Sequence, residues 1–359
     1  MIKTAKTARK ICLRNFYISI FCIFNFSTTY AAYLDTDSAY EFSMQNNEIK
    51  SWQEEVSDWE NPELTKPIAE LLKNGKKKEA KYALAQYLTK YPENMRAMEL
   101  AAALLMEDKN YTAATDAFSR VLKKHPENNG VRTKLGVSLI LMGKYEQGNS
   151  MLIKALNQNP NNELALTYLS WISQKNGDLY QAKNHLLQLV KLSEKDKLGK
   201  FYFALARLLS KEKQHSEVIK LLEPFSTKSP PNSFEFLNAN ILLANAYYDL
   251  GKVEETKKKV ALLDKHFSSE VNVELLHGLL YRHKKQYTKA IAIYDSIILK
   301  NPAREIDAKL EIANTYALMG QTEKAIETLD FLTTKVEAKL VPSLVRDMLS
   351  ILLSENEGV

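Results

Sequence analysis

Histidines and glycine-rich loops are common carriers of catalytic and metal chemistry, and this sequence arranges neither for that purpose. None of the six histidines has a second histidine four residues away, the spacing that places two metal ligands on one helical face. They are His125, His185, His215, His266, His277 and His283. The sequence also has no HExxH motif and no glycine-rich phosphate loop. We therefore expect no enzymatic activity, no metal and no cofactor; an active site assembled from distant serines and carboxylates is the less favoured alternative.

Both cysteines, Cys12 and Cys22, lie in an N-terminal segment with the layout of a secretory signal peptide. Residues 1–31 contain five basic residues and no acidic one, with an apolar run in their second half. That run is too short to cross a bilayer as a helix, which takes about 20 residues. Small residues precede a cleavage site near Ala32. The sequence thus predicts that residues 1–31 are removed on export, which leaves no cysteine for a disulfide or a thiolate metal site.

The positive charge of the chain is concentrated in the same segment. The sequence has 49 basic and 43 acidic residues, a formal charge of +6, and without residues 1–31 the charge falls to +1. A chain so balanced has no electrostatic attraction for nucleic acid or for an anionic membrane surface. Export of a protein without disulfides predicts the bacterial periplasm. Secretion, association with the outer membrane, and retention of the N-terminal segment as an anchor are the alternatives.

A period of 34 residues organises the rest of the chain. Pro92, Pro126 and Pro160 are 34 residues apart, and two glycines between the predicted helices keep the same interval. Apolar residues recur at helical spacing within each period, so each period predicts two helices joined by a turn. Eight such units fill residues 61–339. They begin near Asn61, Met95, Asn129, Glu163, Gly199, Leu237, Val271 and Ile306.

Each unit places small residues where its two helices must approach closely. The first helix has one in every unit but the first, where Ile68 stands instead: Ala102, Gly136, Ser170, Ala206, Ala244, Gly278 and Ala313. The second helix has one in every unit but the fifth, where Val218 is bulkier: Ala80, Ala114, Gly148, Ala182, Thr256, Ala290 and Ala325. Four residues later, on the same helical face, comes a large apolar residue: Leu84, Phe118, Leu152, Leu186, Leu222, Val260, Tyr294 and Leu329. These positions predict the interior of the array.

The turn between the two helices has a fixed position for a left-handed residue, which glycine adopts at little steric cost. Five units place a glycine there: Gly75, Gly143, Gly177, Gly251 and Gly320. The other three units place Lys109, Lys213 and Lys285 at the equivalent position. We expect these lysines to take the same conformation at a small energetic cost.

The pattern resembles the tetratricopeptide repeat, a 34-residue unit of two helices. The unit that ends at Pro160 carries the resemblance most fully, with Leu135-Gly136, Tyr145, Leu152 and Ala155 at the family's positions. The resemblance implies an all-α fold, a right-handed α-solenoid of about eight helix-turn-helix units whose first helices line a concave groove. Stacking is required because one helix pair cannot bury its apolar face alone.

Both ends of the array are predicted to carry a capping helix. Residues 32–60 form a linker followed by a short helix with Ile49, Trp52, Val56 and Trp59 on one face. Residues 340–359 form a helix with an apolar stripe, followed by a tail. A partner-docking role for the first helix, and a homo-oligomer contact through the second, are the alternatives.

The ligand-facing positions of the family can be carried over to each first helix of this sequence. They select Trp171, Phe203, Arg207, Asn245, Tyr248, Arg282 and Asn314. Asparagine amides both donate and accept hydrogen bonds and suit the backbone of an extended peptide. Arginine holds carboxylates in bidentate fashion, and aromatic rings offer flat apolar surface. The resemblance therefore implies a groove that binds a peptide.

The resemblance and the export signal together imply a non-catalytic periplasmic adaptor that binds a peptide segment or a partner protein. Similar exported repeat proteins serve pilus, outer-membrane or cytochrome biogenesis. A scaffold of a polysaccharide export machine is the alternative function. An enzyme with a site supported by the repeats is less favoured.

Overall fold

The computed structural model describes residues 62–193 and 199–335. The predicted signal peptide of residues 1–31, the linker and capping helix of residues 32–60, and the C-terminal helix and tail of residues 340–359 lie outside the described residues. The described residues belong to two compact units that divide between Phe201 and Tyr202. We refer to them as the N-terminal unit and the C-terminal unit.

Sixteen α-helices make up the described residues, which contain no strand, and this confirms the predicted all-α fold. The N-terminal unit contains α1 (Pro62–Lys73), α2 (Lys77–Lys90), α3 (Met95–Glu107), α4 (Tyr111–Lys124), α5 (Asn129–Leu141), α6 (Tyr145–Gln158), α7 (Glu163–Lys175) and α8 (Leu179–Ser193). Helix α9 (Gly199–Lys211) begins just before the division. The C-terminal unit continues with α10 (His215–Lys228), α11 (Phe234–Asp249), α12 (Val253–Phe267), α13 (Val271–His283), α14 (Tyr287–Lys300), α15 (Glu305–Leu318) and α16 (Thr322–Lys335).

The odd-numbered helices are the first helices of the repeats and the even-numbered helices are the second. A short 3-10 helix, Pro302–Arg304, precedes α15. Within the two described ranges, no helix combines the length and apolarity that a membrane span requires.

The interior has the small and large residues at the predicted positions. The eight large apolar residues of the second helices are at most 2% exposed, and the non-glycine small residues are equally buried. A methyl group on Gly136 would lie 2.8 Å from Leu152 Cδ2, and one on Gly278 would lie 2.3 Å from Tyr294 Cε1. The large side chain of the second helix therefore fills the space that the small residue of the first helix leaves. Each such buried side chain contributes about 1.5–3 kcal/mol of transfer free energy.

An asparagine cap begins three successive first helices at the repeat interval. The side chains of Asn94, Asn128 and Asn162 accept hydrogen bonds from backbone N–H groups three residues later, at 2.9, 2.9 and 3.0 Å. Each asparagine lies two residues after one of the periodic prolines. Since proline ends a helix and asparagine satisfies the free N–H groups of the next, this short motif joins successive repeats.

The turns contain the predicted left-handed residues. The five glycines have φ angles between 68° and 79°, and Lys109, Lys213 and Lys285 have φ angles of 60°, 59° and 57°. The backbone N–H of Lys285 donates to Arg282 O, and that of Gln286 donates to Tyr281 O, as in a helix-ending Schellman motif. The turn geometry is thus the same with either residue type, and a lysine in this conformation bears steric strain.

The strain at Lys285 predicts that Lys285→Gly stabilises the protein. Relief of the left-handed conformation outweighs the greater chain entropy of glycine when unfolded, and we expect a gain of about 0.5–1 kcal/mol. Urea denaturation followed by circular dichroism measures the change. The matched control is Lys220→Gly, at an exposed position in the middle of α10, which should lower the stability by about 1 kcal/mol instead. A loss of stability at both positions would contradict the interpretation.

Candidate binding face of the first helices

All seven residues predicted to face a ligand lie on first helices. Trp171 lies on α7 of the N-terminal unit, and the other six lie in the C-terminal unit. There, α9 carries Phe203 and Arg207, α11 carries Asn245 and Tyr248, α13 carries Arg282, and α15 carries Asn314.

Three consecutive first helices of the C-terminal unit are joined by Tyr248, Arg282 and Glu311, which we call the polar ladder. The Arg282 guanidinium is hydrogen-bonded to the Tyr248 hydroxyl, and its Nη1 donates to Glu311 Oε2 over 2.7 Å. The side chains of Arg282 and Glu311 are 2% and 9% exposed. The ladder therefore connects α13 with α15 through an ion pair that is shielded from water, and α11 with α13 through the Tyr248 hydroxyl.

Burial dominates the electrostatics of the polar ladder. It raises the pKa of Glu311, and the positive charge of Arg282 opposes that effect. It also raises the pKa of Tyr248, again against the charge of Arg282. Burial tends to lower the pKa of Arg282, but nearby Tyr294 and Glu311 outweigh it, so that this pKa is raised. Arg282 thus remains charged, and its guanidinium faces the Glu311 carboxyl.

The structure pairs Arg282, which the sequence predicts to face a ligand, with a residue of the protein itself. The sequence pattern indicated a guanidinium free to hold a ligand's carboxylate, whereas the structure gives it a carboxylate of the next repeat. Arg282 is 3% exposed, so a ligand in the groove cannot reach it without disrupting the pair. Its part is to connect neighbouring first helices.

Two asparagines lie one helical turn from the ladder. Asn245 precedes Tyr248 by three residues on α11, and Asn314 follows Glu311 by three residues on α15, so each shares a helical face with its neighbour. Asn245 is 7% exposed, while Asn314 and Tyr248 are half-buried. We call the three neutral hydrogen-bonding side chains Asn245, Tyr248 and Asn314 the polar row.

Helix α9 presents less surface than the sequence predicts. Phe203 is 3% exposed, and its ring makes an edge contact with Phe225 at 5.6 Å between centroids. Its ring belongs to the apolar interior, although the sequence pattern predicts that Phe203 faces a ligand. Arg207, one turn later, is half-buried.

Trp171 of the N-terminal unit keeps part of its ring accessible. It is half-buried against Tyr145, with ring centroids 5.8 Å apart. The Nζ of Lys175, one turn further along α7, lies 3.8 Å from the Tyr145 centroid and 5.0 Å from the Trp171 centroid. Trp171 therefore lies in a small cluster of two rings and one ammonium group.

The charged pairs between repeats were not predicted from the sequence. Besides Arg282 with Glu311, Lys134 Nζ donates to Glu99 Oε1 over 3.0 Å in the N-terminal unit, with both side chains 10% exposed. The paired residues are 29 and 35 positions apart, close to one repeat. Opposite charges about one repeat apart on first helices are the sequence signal that would have found both pairs.

The described histidines do not converge on one site. His277 Nε2 lies 2.8 Å from Asp264 Oδ1 near the surface. His215 is 5% exposed, and its Nδ1 lies 3.5 Å from Asp249 Oδ2. Across residues 62–193 and 199–335, no group of three or more His, Cys, Asp and Glu side chains is placed to hold a metal ion.

Comparison with protein families supports the repeat assignment. Three tetratricopeptide repeat family models match residues 70–129, 105–169 and 273–303. No curated protein matches the chain.

Several solved structures of helical repeat proteins resemble the chain. A tetratricopeptide repeat protein from Parabacteroides merdae has a TM-score of 0.48 and 14% identity, covering 74% of this chain and 99% of its own. PilF from Pseudomonas aeruginosa has a TM-score of 0.47 and 16% identity, covering 62% and 96%. PilW, a type IV pilus biogenesis factor, has a TM-score of 0.46 and 15% identity, covering 64% and 98%.

The buried ion pair predicts a large effect of a single substitution and a small effect of the double one. Arg282→Met leaves the Glu311 carboxylate buried without its counter-charge, which should cost about 3–5 kcal/mol. Arg282→Met combined with Glu311→Leu should recover most of that loss, because two apolar side chains need no partner. Urea denaturation of the two variants and of Glu311→Leu alone measures the coupling.

An exposed pair of the same unit is the matched control for this prediction. Lys258 and Glu255 lie 3.6 Å apart with side chains 76% and 43% exposed. Lys258→Met should change stability by less than about 1 kcal/mol. If Arg282→Met were as mild as this control, the ladder would not be the buried pair that the structure shows.

His215 predicts a loss of stability in mild acid. Burial, and secondarily the charge of Lys213, lower the pKa of His215 in the folded protein. The unfolded chain, in which histidine has its usual pKa near about 6.5, therefore binds the proton first as the pH falls. The contribution of His215 to stability should be constant above this pH and decline as the pH falls through it. His215→Gln should flatten that part of a stability profile, whereas the exposed control His266→Gln should leave it unchanged; equal profiles for both would contradict the prediction.

Proposed function

The chain is a tetratricopeptide repeat protein, and we propose that it is a non-catalytic scaffold that binds a peptide segment or partner protein through its first helices. We further propose that it acts in the periplasm, in assembly of the cell envelope such as pilus, outer-membrane or cytochrome biogenesis. The polar row of Asn245, Tyr248 and Asn314 is the observation that carries the binding proposal.

The polar row suits the backbone of an extended peptide. Asparagine side chains both donate and accept, as a peptide group does, and a phenol can pair with either group. Because the Arg282 guanidinium is already paired with Glu311, it is not available to hold a ligand's carboxylate. The favoured ligand at this place is therefore a neutral peptide segment rather than a carboxylate-bearing one.

The proposed location rests on the sequence of residues 1–31. A basic start, a short apolar run and small residues before Ala32 are the features of a cleaved export signal. The remaining chain is close to neutral, which favours a protein or peptide over nucleic acid as the partner.

Photo-crosslinking in intact cells tests the binding proposal. A p-benzoylphenylalanine in place of Tyr248 keeps an aromatic ring in the polar row, and the same residue in place of Tyr180 is the matched control. Tyr180 is a tyrosine on second helix α8 and is 70% exposed. We expect a discrete adduct from position 248 and none of the same mass from position 180.

A double variant tests whether the crosslinked adduct depends on the polar row. Asn245→Ala with Asn314→Ala removes two hydrogen-bonding side chains, which should weaken association about tenfold or more. The adduct from position 248 should fade accordingly. Adducts from position 180 alone, or an adduct that persists in the double variant, would exclude the polar row as the binding site.

Fractionation tests the proposed location separately. The mature chain should be released by osmotic shock, and its mass should correspond to a start near Ala32. A full-length chain in the cytoplasmic fraction would contradict export.

A further inference from the structure

Tyr145 and Trp171 hold a positive charge between them in the N-terminal unit. Tyr145 begins second helix α6, and Trp171 lies on the following first helix, α7. Their rings are inclined at 47°, and the Lys175 ammonium lies 3.8 Å from one centroid and 5.0 Å from the other. These distances fall within the range of cation–π attraction, and the two rings form two walls around one cation.

The contacts of the Lys175 ammonium are with aromatic rings rather than with a carboxylate. In the part of the chain that the structure describes, its ammonium makes no ion pair or hydrogen bond, and the two rings are its contacts. Lys309 and Lys324, by comparison, lie over the rings of Phe331 and Tyr316. The Tyr145–Trp171 pair is therefore a two-ring site that attracts a cation without help from a carboxylate.

The end of α7 adds a second attraction for positive charge. Lys175 is the last residue of α7, and the negative end of the helix dipole lies at this end of the helix. A cation at this place is thus favoured by the rings and by the helix end alike. The site selects for charge, since a neutral apolar group would gain neither term.

The present occupant is easily displaced. Lys175 is an exposed side chain on a flexible stem, and an exposed cation–π contact contributes only about 0.5–1 kcal/mol. A cation carried by a bound partner has the further contacts of that partner to hold it. Guanidinium groups are planar and stack on aromatic faces better than ammonium groups do.

We propose that Tyr145 and Trp171 form a binding site for an arginine side chain of the partner, and that Lys175 fills this site when no partner is bound. This inference rests on the proposed function in that the arginine comes from a bound peptide or protein. It adds a second recognition element, chemically unlike the neutral polar row, and it describes the N-terminal unit by itself.

Nuclear magnetic resonance of the mature chain tests the site with three short probes. They are acetyl-Gly-Arg-Gly-amide, its lysine counterpart and its norleucine counterpart, which is neutral. The Trp171 indole signal, assigned from Trp171→Phe, reports binding, and carbon-13 methyl groups added to lysines report the position of Lys175. The arginine probe should shift the indole signal and move the Lys175 methyl signals toward those of a free lysine.

Lys175→Gln is the decisive variant because it removes the internal cation without touching the rings. The arginine probe should bind it about two- to fivefold more tightly than the unchanged chain, the factor that corresponds to about 0.5–1 kcal/mol. The matched control is Lys154→Gln, at an exposed position of α6, which should leave the affinity unchanged. Tyr145→Phe should retain binding and Tyr145→Leu should abolish it.

Two results would overturn the proposal. One is an equal shift of the Trp171 signal by the norleucine probe, which would mean an apolar contact without selection for charge. The other is an unchanged affinity of the arginine probe for Lys175→Gln. This variant leaves both rings in place, so its result can be interpreted even if Tyr145→Leu does not fold. Binding at Trp171 without any adduct from position 248 would retain this site and reject the polar row, and the reverse outcome would do the opposite.

Discussion

The whole array depends on one contact, in which a large side chain of a second helix fills the gap left by a small residue of the first. Gly278 and Tyr294 show how tight this contact is, because a methyl group added to Gly278 would lie only 2.3 Å from the tyrosine ring. Overpacking of this kind typically costs about 1–3 kcal/mol. Because the contact recurs in unit after unit, the inner faces of the helices have little freedom to vary. We therefore expect sequence variation on the helical faces that lie outside this contact.

Contacts between repeats obey a different constraint from contacts within them. Arg282 with Glu311 and Lys134 with Glu99 join neighbouring first helices through charges with little access to water. Such pairs add little net stability, since desolvation offsets much of their attraction, but removing one partner is costly. They therefore act mainly on register, because only one alignment of α13 with α15 satisfies both charges of the polar ladder. A fixed register in turn fixes the positions of Asn245 and Asn314 relative to each other.

The same distinction explains how much the sequence could predict. The small and large positions and the left-handed lysines at 109, 213 and 285 depend on spacing within one repeat, and the structure confirms them. Phe203 and Arg282 occupy the right helical positions, but their exposure depends on Phe225 and Glu311, which lie on other helices. A pattern within one repeat has no information about such neighbours. The helical positions of these residues were therefore predicted more reliably than their exposure.

The proposed binding residues lie immediately beside the most constrained residues of the array. The position after the small residue of each first helix is equivalent in every unit from the second onward. It is occupied by Ala103, Val137, Trp171, Arg207, Asn245, Leu279 and Asn314. The small residue fixes where the backbone lies, and the next residue lies about 100° further round the helix. Val137 and Leu279 are buried at this position, whereas Trp171, Arg207 and Asn314 are half-buried. The indole of Trp171 and the amides of Asn245 and Asn314 thus occupy one structural position with two different chemistries.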